Sequence, residues 1–76
     1  MNATDLALMR LMDRLEHPGE SLLLVWDHKG AAAGPQRWGA SAHCRLGDNM
    51  AGVVAGYGRS IAQALDDLRL AVERSR

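Results

Sequence analysis

The chain has no phenylalanine and only one cysteine, one isoleucine, one tyrosine and one lysine among its 76 residues. Each shortage excludes something. A lone thiol, Cys44, forms no internal disulfide, and secreted domains this small are usually stapled by several bridges, so a reducing cytoplasm is the expected compartment. The longest uninterrupted apolar run is Leu22-Leu23-Leu24-Val25-Trp26, far short of the ~20 residues that cross a bilayer. Met1-Asn2-Ala3-Thr4-Asp5 carries no basic segment and leads into no apolar stretch of signal-peptide length, so no secretory leader is expected. Nine basic residues balance nine acidic ones, which removes the charge signature of a basic nucleic-acid domain or an acidic tail. What remains is an apolar share of 47%, enough for one globular domain over residues 1–76. A third of that share is alanine, so the core rests on leucine, valine, methionine and the two tryptophans. Among the basic residues eight are Arg, which, with the Ala and Gly load, has the compositional flavour of a GC-rich bacterial or phage genome.

The pattern of residues predicts a helix over 4–17. Thr4 is placed to cap it and Asp5 suits the positive end of the helix dipole. Leu8, Leu11, Met12 and Leu15 recur at helical spacing, widened by Leu6 and Met9. Arg10, Arg14 and His17 form a ridge on the other side, and Pro18-Gly19 stops the helix. Residues 21–28 read as a strand with blurred alternation. Gly30–Pro35 is a small-residue loop suited to a hairpin. Residues 36–46 alternate strictly, with Trp38, Ala40, Ala42, Cys44 and Leu46 against Arg37, Gly39, Ser41, His43 and Arg45. Pairing the two strands near Trp26 and Trp38 brings Asp27 close to Arg37. It also makes Leu22, Leu24 and Trp26 the inward set and turns Leu23 and Val25 outward. Gly47-Asp48-Asn49 reads as a turn and 50–55 as a third strand, whose register a one-residue slip between Val53 and Val54 leaves open. Gly56-Tyr57-Gly58-Arg59 reads as a break. Ser60 and Gln63 then form a capping box for a helix over 61–74, with Ile61, Ala64, Leu65, Leu68, Ala71 and Val72 buried. The expected fold is α+β: a single two-layer α-β-β-β-α domain, its three-stranded antiparallel meander carrying both helices on one face.

No catalytic constellation assembles. Cys44 falls on the apolar parity of its strand, where a buried small hydrophobe is expected, and His43 points to the opposite face, so the two make no nucleophile–base pair. His17, His28 and His43 are scattered without metal-ligand spacing. No metal and no cofactor is expected, and the protein is not expected to be an enzyme. Gly56-Tyr57-Gly58-Arg59-Ser60 before a helix invites a phosphate-loop reading, but it lacks the Gly-Lys-Ser/Thr ending, and a strand-to-helix turn closed by a capping serine accounts for every residue.

The α-β-β-β-α order, with Gly56-x-Gly58-x-Ser60-x-x-x-Ala64 entering the last helix, resembles the double-stranded-RNA-binding domain. That family places lysines where this chain has Ile61, Ala62 and Gln63, followed by Asp66 and Asp67, so the resemblance implies the fold without the phosphate grip. Zero net charge also argues against direct nucleic-acid binding. Residues 56–68 are similar to the last strand and helix of the HicB-type antitoxins. In size, α+β character and lack of catalytic motif the chain further resembles small phage proteins that inhibit bacterial defence, including type I anti-CRISPR proteins. That resemblance implies a cytoplasmic inhibitor, inside a bacterial host, that acts by occupying a protein partner such as a CRISPR effector complex.

A contact surface is expected on the outer sheet face. Leu23 and Val25 sit there beside His43, flanked by Asp27, Arg37 and Arg45, and a mixed apolar and charged open face suits protein contact. Asp66 and Asp67, with Glu73, offer a second, acidic surface on the last helix. A homodimer through the sheet face would explain the same residues, so monomer and homodimer both remain open.

Overall fold

A computed structural model of the chain describes residues 2–27, 37–47 and 50–75. Its elements run α1 (Ala3–Arg14), β1 (Ser21–Asp27), β2 (Trp38–Arg45), β3 (Ala51–Gly58) and α2 (Ile61–Arg74). The strands form one antiparallel sheet in the order β1-β2-β3. This is the α-β-β-β-α meander that the sequence predicts. The expected loop over 30–35, with His28 and Lys29, and the Asp48-Asn49 part of the second turn lie outside the described residues.

The first helix starts one residue earlier than expected. Asn2, not Thr4, is its cap, and its Oδ1 accepts the Asp5 N–H at 2.8 Å. The helix also ends sooner, at Arg14. Pro18 disfavours helical geometry at His17, and the Glu20 side chain captures the His17 N–H at 3.0 Å, while Gly19 turns the chain at φ +86°. Only Ala7 and Leu11 of α1, with Leu15 at its C-cap, are buried. Leu8 and Met12, expected in the stripe, are exposed, because a short helix lying beside another helix buries a narrower arc than one lying flat on a sheet.

The core gathers Ala7 and Leu11 from α1 and Leu15 from its C-cap, Ala40, Ala42 and Cys44 from β2, and Ala64, Leu65, Leu68 and Val72 from α2. Both helices therefore occupy the Ala40/Cys44 face. Trp38 is half-buried and packs against this cluster. α2 lies across β3 and β2, and α1 packs along α2. Alanines on β2 and glycines on β3 keep the sheet surface low, which lets α2 sit close.

Those glycines correct the reading of residues 56–59 as a break. β3 continues through Gly58. Gly56 and Gly58 lie beneath α2, and a Cβ on Gly58 would stand 2.6 Å from the Ala64 backbone nitrogen. They are glycine because a helix backbone passes over them, not because the strand stops. The capping box is also modified: Gln63 N–H donates to Ser60 Oγ at 3.1 Å, but the Gln63 side chain accepts from Arg59 N–H rather than from the cap residue.

Face assignment in β1 changes as well. A bulge between Leu22 and Leu24 shifts the register, leaving Leu22 opposite Ala42 but Leu24 opposite Ser41, Val25 opposite Ala40 and Trp26 opposite Gly39. The extra residue, Leu23, inverts parity for the rest of the strand. Val25 therefore turns inward and packs on the core, whereas Leu24 and Trp26, expected inside, turn outward.

One ion pair clamps the two helices. Arg14 Nε donates to Glu73 Oε1 at 2.7 Å, and Arg69 adds a second contact at 3.2 Å. The Arg14 hydrogen bond holds the Glu73 carboxyl below its ordinary value of 4.5, with the charges of Arg14 and Arg69 acting the same way against partial desolvation. A depressed folded pKa gives stability that is present above the unfolded pKa and lost as pH falls through the folded one. Glu73→Gln is therefore expected to lower Tm near neutral pH, with the gap to the parent closing as pH drops below the ordinary carboxylate range. Parallel thermal melts from pH 7 downwards check this, and a gap that widened on acidification would contradict it.

A candidate protein-binding face on the open side of the sheet

Strand parity decides which side chains reach the face opposite the helices. Opposite the core-facing Ala40, Ala42 and Cys44, the outward positions of β2 are Gly39, Ser41 and His43. β1 adds Leu24 and Trp26, and β3 adds Val53, Ala55 and Tyr57. None of the described elements packs over this side. Leu24 is 57% and Val53 61% exposed, high for side chains in the body of a sheet.

Trp26 is the organising residue. It stands opposite Gly39, and a Cβ there would meet its indole ring, so the glycine is the recess in which the indole rests. Tyr57 meets Trp26 edge-on, with centroids 5.9 Å apart and planes at 85°, the arrangement aromatic quadrupoles favour. The face is thus an aromatic pair with exposed aliphatics beside it and small residues between: a shallow, largely apolar surface.

Its rim is charged. Arg37 makes a two-pronged contact with Asp27, 3.1 Å on each arm, and that hydrogen bond, reinforced by the carboxylate's charge, raises the guanidinium pKa. His43 Nδ1–H donates to the Gly19 carbonyl at 3.1 Å. Arg45 follows on the same parity, exposed, and its backbone N–H donates to Glu20 Oε2 at 2.7 Å. The expected cluster is therefore brought together in part. Leu23 is exposed at the bulge, Asp27 and Arg37 are paired at one end of the hairpin, and His43 and Arg45 lie at the other. Val25 is withdrawn into the core and leaves the set, and Asp27, opposite the core-packed Trp38, shares that core-side parity rather than the expected outer one, meeting Arg37 only at the strand end.

Asp66 and Asp67 are not on this face at all. They belong to α2, in the other layer. Asp66 stands 4.0 Å from Arg69. The Asp67 carboxylate accepts the backbone N–H of Tyr57 at 2.9 Å, tying α2 to β3, a strand at the margin of the sheet. Asp67→Ala is expected to cost about 1 kcal/mol, the net worth of one such hydrogen bond, or roughly 4–8 °C in Tm for a domain of this size. Asp67→Asn, which keeps an acceptor, should retain most of it. Equal losses in the two variants would assign the effect to charge instead.

Sequence reasoning missed Leu24, Trp26, Val53 and Tyr57. One signal was legible: Gly39, on the polar parity of a strand otherwise rich in side chains, marks a spot where something bulky lies flat.

The face holds no reactive pair. Cys44 is buried on the opposite side of the sheet from His43. Among the described residues no group of three His, Cys, Asp or Glu side chains is placed to hold a metal ion, and no helix is long and apolar enough to cross a membrane. No family model matches the chain, and no curated protein and no solved structure matches it either.

Proposed function

We propose that the protein is a non-catalytic binding module that acts by occupancy, seating the open face of its sheet against a larger protein. The observation that carries this reading is the apolar face over which none of the described elements packs, with Leu24 and Val53 more than half exposed beside the Trp26–Tyr57 pair. Contiguous apolar patches of a few hundred Å² on small proteins commonly mark interaction sites. Tryptophan and tyrosine are the residues that most often dominate binding energy. The charged rim of Arg37 and Arg45, with Asp27 holding Arg37 at the strand end, would set orientation and association rate more than affinity.

In its most specific form the module is an inhibitor in the bacterial cytoplasm that blocks part of a defence assembly, with a type I CRISPR effector complex as the target and loss of DNA binding by that complex as the result. The acidic side chains of α2 would then lie on the side away from the contact. The test is whether purified protein, added in stoichiometric amount, abolishes target-DNA binding by such a complex and co-migrates with it. A complex that binds DNA normally beside the protein rejects the CRISPR target.

The helix–meander–helix order supports a second reading, a nucleic-acid module or HicB-like antitoxin. Titration with duplex RNA and DNA at low salt separates the two: nanomolar affinity falling steeply with salt would favour nucleic acid, and flat curves would favour a protein partner.

A further inference from the structure

Charge is spread unevenly over the two sides of the molecule. On the open side, the outward parity of β2 runs from Arg37 to Arg45, and the exposed alternation of Ala51, Val53, Ala55 and Tyr57 continues to Arg59. One step beyond the Trp38–Gly58 pair stand Arg37 and Arg59. Arg37 is held by Asp27, but the guanidinium groups of Arg45 and Arg59 make no ion pair among the described residues. No outward position of the described strands holds a carboxylate. Asp5, Asp13, Asp66, Asp67 and Glu73 belong to the helices, where four arginines offset them. Glu20 turns its two oxygens to the backbone N–H groups of His17 and Arg45. A chain of zero net charge thus has a sheet face whose unpaired charges, among the described residues, are all positive.

The apolar part of the face lies between these charges. Trp26, Gly39 and Tyr57 form one row across the three strands, and Leu24, Ser41 and Ala55 form the next. His43 with Val53 follows, and Arg45 with Ala51 closes the series. Leu24 and Val53, on the outer strands, stand higher than the small Ser41 and Ala55 between them. At ~3.3 Å per residue, the Arg45 end and the Arg37–Arg59 end are about 26 Å apart. The pattern is an apolar centre with a positive charge at each end.

We propose that the partner meets this face with an acidic protein surface, its carboxylates reaching Arg45 at one end and Arg59 at the other around an apolar anchor. The inference rests on the open face being the contact surface, as proposed above, and adds the chemistry of what covers it. Charge complementarity carries the commitment. Guanidinium groups with no carboxylate beside them on the same face steer an acidic surface into place, and their fork geometry matches a carboxylate. A basic nucleic-acid groove on the partner would meet like charge here. Nucleic acid itself fits less well, because two unpaired arginines release few counterions and the exposed Leu24 and Val53 gain nothing from phosphate.

The probe is a synthetic peptide with paired glutamates at both ends of an apolar centre about eight residues long, which matches the arginine spacing. Its companions are the same peptide with glutamine for glutamate, and a single-stranded oligothymidylate of similar length. Each is titrated into the isotope-labelled full chain while backbone amide shifts are recorded. The glutamate peptide is expected to shift Ser41, Arg45, Val53 and Tyr57 and to bind about fivefold more tightly than the glutamine peptide. That advantage should largely vanish in ~1 M salt, where the Debye length is ~3 Å. Arg45→Gln with Arg59→Gln is expected to remove most of it without changing the circular dichroism, since both side chains are exposed. Arg10→Gln with Arg74→Gln, on the helices, should preserve it. Equal binding of the two peptides on the sheet overturns acid recognition and leaves the open face standing as the contact surface. Shifts confined to α1 and α2 overturn both readings. Tighter binding of the oligothymidylate than of the glutamate peptide assigns the face to nucleic acid instead. Silence from every probe also overturns the acidic partner, and the open face is then judged by partner capture alone.

Discussion

Gly56→Ala is expected to lower Tm by about 12–24 °C, from a cost of ~3 kcal/mol at the top of the usual overpacking range. The new Cβ would stand 2.6 Å from the Leu68 Cα and closer still to its backbone nitrogen. A backbone cannot rotate out of the way as a side chain can, so α2 must lift as a unit. Lifting it loosens Leu68 and Val72, both fully buried, and pulls the Asp67 carboxylate from the Tyr57 N–H. Against a total stability of roughly 4–11 kcal/mol for a chain this long, the loss is a large fraction. Gly52→Ala is the matched control on the same strand. There the added methyl meets only the end of the Leu46 side chain, which can move, and a change of under about 1 kcal/mol is expected. Thermal melts of the two variants side by side check the claim. Equal losses would mean that glycine content of the strand, rather than helix contact, sets the effect.

The same glycine shows why parts of the fold were legible in sequence and others were not. A helix over 61–74 is announced by Ser60, Gln63 and an unbroken stripe, all local signals, and α2 has those bounds. The alternation of Trp38 to Cys44 is likewise local, and it correctly assigns the core face of β2. Gly56 and Gly58 carry a tertiary meaning, close approach of another backbone, that looks identical in sequence to a strand break. β1 fails differently. Its Leu22–Trp26 run is apolar on both parities, so nothing in it reveals that Leu23 is an extra residue, and one bulge exchanges the roles of Val25 and Trp26. The ion pair of Asp27 and Arg37 survives that exchange because it sits at the hairpin end, where proximity matters more than parity. The charged residues beside the face are thus legible in sequence, whereas its centre, Trp26 over Gly39 with Tyr57 against it, depends on the register.

Leu24→Lys combined with Val53→Lys is expected to abolish partner binding, a loss of at least ~30-fold, the scale of ~2 kcal/mol for a dominant contact. The two side chains belong to different edge strands and lie either side of β2, so together they place charge across the width of the face. Each would have to be desolvated when the surface closed, and an unpaired charge buried in an interface costs more than the apolar contact it replaces. Folding should be little affected, because both positions are more than half exposed and exposed substitutions usually stay within about 0.5 kcal/mol. Leu70→Lys makes the same chemical change on α2, in the other layer, and should bind as the parent does. Arg37→Glu, at the rim, should slow association and alter its salt dependence while leaving the dissociation rate nearly unchanged. Capture of the partner by immobilised parent and variants, followed by association and dissociation rates, distinguishes these outcomes. Binding that survived in the double variant and failed in Leu70→Lys would move the contact surface from the sheet to the helices.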